Sequence, residues 1–227
     1  AGETLAQLRF AVTGRWDETA ITLTAVNFAG KAVNESMTLS VPGSGYRFRD
    51  VKAEDWFFEA VDHLAAEGCI AGITENSFGP ALDMNRASFL TLLGRLAGVE
   101  LTHAETRFTD VPVDSFYSGY VAWAVEKGIT GGVDATHFAP AAPVNRAQMV
   151  CFLYAYAKSE GMDVEVSDPA AALAQFSDAD TLPAWAVPAM AWAVQNGITN
   201  GMDDGTFGVD AVCNRAQAVT FLDRAYN

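Results

Sequence analysis

The sequence predicts a mainly α-helical protein, in which three helix-loop-helix repeats pack into one body behind a small N-terminal β segment. Three observations predict this. Between residues 48 and 227, aromatic, glycine and arginine positions recur three times in one register. Inside each recurrence the apolar residues fall at helical spacing. Residues 1–47 instead alternate apolar and polar residues or are rich in β-formers.

The β segment comes first. Leu8–Val12, Ile21–Val26 and Met37–Val41 are separated by Gly, Asn and Asp clusters and read as three short strands. Pro42-Gly43-Ser44-Gly45 then reads as a linker. So small a sheet is marginal alone, so residues 1–47 are expected to be the tail of an upstream β-domain or a sheet docked on the helical body.

The repeats follow at 48–107, 108–175 and 176–227. They open with Phe48-Arg49-Asp50, Phe108-Thr109-Asp110 and Phe176-Ser177-Asp178. An aromatic follows at Trp56, Phe116 and Trp185, and a glycine stands 12 residues beyond each, at Gly68, Gly128 and Gly197. From each aromatic runs a stripe: Ala60, Val61, Leu64; Tyr120, Val121, Ala124; Ala189, Met190, Ala193. This is the one-sided pattern of an amphipathic helix that glycine ends. Pro188 is tolerable only in a first turn, so the third copy's helix should start near Trp185.

A second helix is predicted in each copy from Arg86, Arg146 and Arg215, because offsets 3, 4, 7 and 10 from each arginine are apolar. Asn85, Asn145 and Asn214 stand where a side chain can cap the first turn, an effect of about 0.5–2 kcal/mol. A two-helix unit cannot cover its own apolar stripe, so the copies must pack together, by stacking or by closing into a ring. Between the second and third, Pro169–Ala174 could add a short helix.

Composition narrows the function. Half of the 227 residues are apolar, enough for a sizeable core. The net charge of -14 argues against nucleic-acid binding, which needs a basic face. No apolar run reaches the roughly 20 residues of a membrane helix, and the first ten residues lack a signal-peptide layout, as in a mature or trimmed fragment. Cys69, Cys151 and Cys213 form no CxxC pair and read as buried thiols, with no metal site and no cofactor indicated. Asp203-Asp204-Gly205 lacks the ligand ladder of an EF-hand and reads as a turn.

Residues 48–227 resemble the S-layer homology family, on the Phe-x-Asp opening, the aromatic-headed first helix, the Gly-x-x-x-Gly pair, the Phe-x-Pro turns at Phe78 and Phe138, and the Asn-Arg-Ala helix start. The resemblance implies a pseudo-threefold bundle with one helix of each repeat at its centre. It also implies a non-enzymatic, extracellular module that holds its protein to the wall of a Gram-positive-type bacterium. Its partner would be an acidic secondary polysaccharide linked to peptidoglycan, often carrying pyruvate ketals and bound in grooves between repeats. Where that family usually has Thr-Arg-Ala-Glu, Ser88, Gln148 and Gln217 replace the glutamate, and Val209 replaces the third turn proline.

The candidate polysaccharide-binding residues follow from this. Arg86, Arg146 and Arg215 bring charged forks to helix tips whose free amides favour an anion. A shielded charge-assisted bond contributes roughly 1.5–3 kcal/mol, so three weak sites on one polymer would give avidity. Trp56, Phe116 and Trp185 offer flat faces for a sugar ring, and Gly72, Gly132 and Gly201 allow close backbone approach. Gln148 and Gln217 stand beside two of the arginines. Plain structural roles compete at each: the arginines could pair with Asp83, Asp210 or the repeat-opening Asp, the aromatics could be core, and the glycines could cap helices. Two other functions compete as well, a self-assembling or protein-binding scaffold and a wall-active hydrolase, although His63, His103 and His137 form no catalytic set.

Overall fold

The computed structural model describes residues 47–100 and 102–226, together with two strands, β1 (Ala20–Val26) and β2 (Ala32–Ser40). The strands pair antiparallel from Ala20–Ser40 to Val26–Ala32, with a register shift between Thr24 and Val26. Two of the three predicted strands are therefore present, the second beginning five residues earlier than expected. Leu8–Val12 and the Pro42–Gly45 linker lie outside the described residues.

Each repeat supplies two helices. The first of each pair are α1 (Phe58–Ala66), α3 (Ser118–Glu126) and α6 (Val187–Gln195), and the second are α2 (Arg86–Leu96), α4 (Arg146–Ser159) and α7 (Arg215–Tyr226). The remaining helix, α5 (Pro169–Leu173), is the short one foreseen between repeats two and three. Asp168 caps it through the Ala171 amide at 2.9 Å, and Leu173 is buried. It packs against α6.

The first helices start two residues later than the aromatic that was expected to head them, because the apolar stripe begins only at Phe58, Tyr120 and Ala189. Their ends match prediction. Gly68, Gly128 and Gly197 take left-handed φ of 75°, 72° and 68°. That lets the next residue's amide turn back: Cys69 N donates to Leu64 O at 2.9 Å, Ile129 N to Ala124 O at 2.7 Å, and Ile198 N to Ala193 O at 2.8 Å.

The repeats close into a ring. α3 packs on α2, α6 on α4, and α1 on α7, so each first helix covers the second helix of the preceding copy and the last copy meets the first. Three hydrogen bonds tie the starts of α2, α4 and α7 together: Met84 N to Cys213 O at 2.8 Å, Cys213 N to Val144 O at 2.9 Å, and Val144 N to Met84 O at 2.8 Å. All three residues are buried. This triangle marks the pseudo-threefold axis, and the inner helices run from it through a core that includes Phe89 stacked on Phe152 at 6.0 Å.

Cys69 and Cys213 are buried and Cys151 is half-buried, all as free thiols. Burial pushes the Cys151 thiol up to about 11 and Cys213 up to about 12, which keeps both protonated and unreactive near neutral pH.

Candidate functional site: an inter-repeat groove

The repeat-opening aspartates shape the turn beneath each site. Asp50 accepts hydrogen bonds from Ser77 Oγ at 2.7 Å and from the Phe78 and Gly79 amides, both at 2.8 Å. Asp110 accepts from Phe138 N and Ala139 N, and Asp178 from Phe207 N and Gly208 N. Burial pushes the Asp50 and Asp110 carboxyls up, but these amide bonds outweigh it and hold both below the usual carboxylate range.

On the far side of the same phenylalanine peptide sits an arginine from the preceding repeat. Arg86 Nε donates to Phe138 O at 2.9 Å, Arg146 Nε to Phe207 O at 2.8 Å, and Arg215 Nε to Phe78 O at 2.9 Å. Each Asp and Arg thus grip one peptide from its two ends without touching each other. Burial lowers the pKa of all three guanidinium groups, while Asp110, Asp178 and Asp50 respectively act against it.

The helix tips differ from the sequence expectation. Their amides are not free: Arg86 N donates to Ala142 O and Ala87 N to Pro140 O, Arg146 N to Ala211 O and Ala147 N to Val209 O, Arg215 N to Leu82 O and Ala216 N to Pro80 O. The third amide of each goes to the capping asparagine at 2.8–2.9 Å. A helix start leaves such donors without intrahelical partners, and here the neighbouring turn supplies the acceptors. The tips therefore join repeats and offer no anion cradle of backbone amides.

The predicted residues separate into two groups. Arg86 and Arg146 are only 4% and 2% exposed, whereas Arg215 is half-buried. Gln148 and Gln217 turn back, each side-chain oxygen accepting its own cap's amide, at 3.4 and 3.0 Å. Gly72, Gly132 and Gly201 are approached closely, but by the protein itself: a Cβ there would collide with Phe48, Phe108 or Phe176 and with loop carbonyls. By contrast Trp56, Phe116 and Trp185 stand 60%, 56% and 64% exposed, just outside their helices, so the core reading fails for all three. Trp123 and Trp192 lie seven residues further on, half-buried and buried, and pack as core against Tyr156 and Tyr154.

Arg215 and Phe116 line one groove. They flank a cavity of about 130 Å³, with Ala71 from the loop after α1 and Ser88, Thr91 and Arg95 from α2. All three repeats contribute to it, and it carries two arginines on a chain of net charge -14. Sequence reading passed over Thr91 and Arg95, although Ser88, Thr91 and Arg95 share one helix face at offsets 0, 3 and 7, a polar stripe beside an apolar one. A wider depression of about 600 Å³ beside Trp185 is lined by Asp178 and Asp210 and by no basic residue, which does not suit an acid. Among the described residues no cluster of acidic, His or Cys side chains could hold a metal ion.

The sequence profile of the S-layer homology domain matches three times, at residues 47–90, 107–150 and 175–219. The chain belongs to the S-layer homology domain family. Among its relatives, the Surface-layer 125 kDa protein of Lysinibacillus sphaericus is 32% identical over 145 residues, 64% of this chain but 12% of that protein. An Endoglucanase of Bacillus sp. (strain KSM-635) is 28% identical over 197 residues, 87% of this chain and 20% of that protein. The S-layer protein of Bacillus licheniformis is 26% identical over 144 residues, 63% of this chain and 16% of that protein. The S-layer homology chain thus spans a fifth or less of each of these relatives.

Proposed function

We propose that this S-layer homology module anchors its protein non-covalently to the bacterial cell wall, by taking an acidic substituent of a wall polysaccharide into the Arg215–Arg95–Phe116 groove. The observation that carries the reading is the convergence of two guanidinium-bearing residues and an exposed aromatic ring in one concave site built by all three repeats. A cavity of about 130 Å³ is well below the roughly 300–1,000 Å³ of sites that engulf a drug-sized ligand. It fits a carboxylate-bearing group such as a pyruvate ketal, with the sugar ring resting outside on the apolar face of Phe116. Arg215, held in place by Phe78 O and Ala71 O, supplies the oriented charge, and exposed Arg95 supplies a second.

The relatives support the same reading. The module recurs in proteins named for surface layers and in proteins named for polysaccharide hydrolysis, always as a small share of their length. A common attachment role accounts for that distribution better than a common reaction does. Among the described residues no helix is long and apolar enough to cross a membrane.

Retention on purified walls tests the proposal. The chain should sediment with walls bearing pyruvyl groups, and mild acid removal of those groups should release it. Arg95→Ala and Arg215→Ala should each lower retention while the far-ultraviolet circular dichroism stays helical. Equal retention of both variants on intact walls would exclude this groove.

A further inference from the structure

We infer that only one of the three pseudo-equivalent grooves receives saccharide, and that the residue six positions after each helix-starting arginine decides which. The inference rests on the anchoring reading above and deepens it. The positions in question are Leu92, Phe152 and Phe221.

The geometry separates them cleanly. The Arg86 guanidinium lies 4.8 Å from the Phe138 ring centre and 5.2 Å from that of Phe152, so aromatic rings approach it from two residues. The Arg146 guanidinium has the same pair, Phe207 at 5.5 Å and Phe221 at 5.1 Å. Arg215 has its turn phenylalanine, Phe78, at 4.6 Å, but the second position belongs to Leu92, which is shorter and not aromatic. Cation–π contact with a second ring both shields the charge and lowers its free energy in place, so Phe152 and Phe221 act as fixed lids. Exposure follows the lids: 4% and 2% for Arg86 and Arg146, against half-burial for Arg215.

A second difference runs the same way. Arg146 Nη2 donates to the buried hydroxyl of Thr199 at 2.6 Å. The residue at that place facing Arg215 is Ile70, which has no hydroxyl, and Arg215 Nη2 instead reaches the carbonyl of Ala71 at 2.9 Å on the exposed side. Arg95 also has no cationic counterpart in the second repeat, where Ala155 stands. In the third repeat Arg224 stands there, and its Nη1 is directed at Ile198 O at 3.4 Å. Two grooves are therefore closed joints between repeats, and the third is left open as a site. Binding is monovalent per chain, in place of the threefold avidity that three arginines suggest.

Two measurements on the full chain test this. Phenylglyoxal labelling followed by peptide mass mapping reads guanidinium shielding without any ligand: Arg215 should react at least about tenfold faster than Arg86 and Arg146, and Phe152→Leu should bring Arg86 to the rate of Arg215. Nuclear magnetic resonance titration with a methyl hexopyranoside pyruvate 4,6-ketal reads occupancy: the wild type should take one equivalent, shifting Phe116 and Arg95 but not Trp185, and Arg215→Ala should weaken binding about tenfold or more. Phe152→Leu should admit a second, weaker equivalent at Arg86, where Ala155 stands in place of a second cation. Equal labelling of the three arginines, or two or more equivalents on the wild type, overturns the inference while leaving anchoring intact. Labelling as expected with no uptake of the ketal overturns the single-site assignment together with the ligand reading on which it rests.

Discussion

Arg146 of the second repeat and Phe207 of the third, 61 positions apart, meet through a 2.8 Å hydrogen bond from guanidinium Nε to backbone carbonyl. The same contact recurs at Arg86–Phe138 and, across 137 positions, at Arg215–Phe78. Because the last repeat reaches back to the first, these bonds link every copy to both neighbours. The arginine that defines each helix start is therefore an inter-repeat clasp in all three copies, and only at Arg215 is it also a surface group.

Arg146→Ala should cost roughly 3–5 kcal/mol, since it strips a buried carbonyl and a buried hydroxyl of a charged donor. Arg215→Ala should cost less, about 1–3 kcal/mol, because water can reach the vacated acceptor at Ala71. Urea unfolding of both variants checks the order.

Asn145→Ala should destabilise the protein by about 1–2 kcal/mol, because the Gln148 amide loses its side-chain acceptor and the surviving return bond, from the backbone amide of position 145 to Gln148, loses the bond that closes its pair. Asn85→Ala should cost less, about 0.5–1 kcal/mol, since Ser88 makes no return bond and only the Ser88 amide loses its acceptor. Thermal melts of the two variants give the comparison.

His63 should make stability weakly pH-dependent. Its Nδ1 lies 2.7 Å from Asp223 of α7, and that contact, with Glu67 adding to it against the effect of burial, raises the imidazole pKa above its usual value near 6.5. A raised folded-state pKa stabilises fully below the unfolded value and is lost as pH climbs through the folded one. The pair is partly solvent-exposed, so the effect should stay below about 1 kcal/mol. Melting the wild type and His63→Gln at pH 5.5 and 8.5 should show the variant's deficit only at the lower pH.

Deleting residues 176–227 should abolish cooperative unfolding. The cut removes α7 from α1 and takes Phe207 from Arg146, whereas an open stack would lose only one terminal increment. Near-ultraviolet circular dichroism of the truncated chain should lack native signal.

Several elements were legible because they depend on local chemistry. The second helices begin at the predicted arginines behind capping asparagines, and the first helices end at the predicted glycines. Of the two strands within the described residues, the first lies where alternation placed it and the second begins five residues earlier. Whether Trp56, Phe116 and Trp185 were exposed faces or core stayed open in the sequence, because they precede their helices by two residues and a stripe read from spacing does not reveal where helical geometry starts.

By itself the sequence determined three copies, their helices, their caps and their turns, since each depends on residues within a few positions of one another. Spacing left stacking and closure open, and the tertiary structure shows the closed threefold arrangement that the family resemblance implied; it alone decided that the helix-tip amides join repeats, and that Leu92 leaves Arg215 uncovered where Phe152 and Phe221 cover its counterparts. The physical reason is distance along the chain. A repeat's own pattern specifies which donors its helix start leaves unpaired, but the acceptor comes from a turn 50 to 140 residues away, and only packing brings the two together.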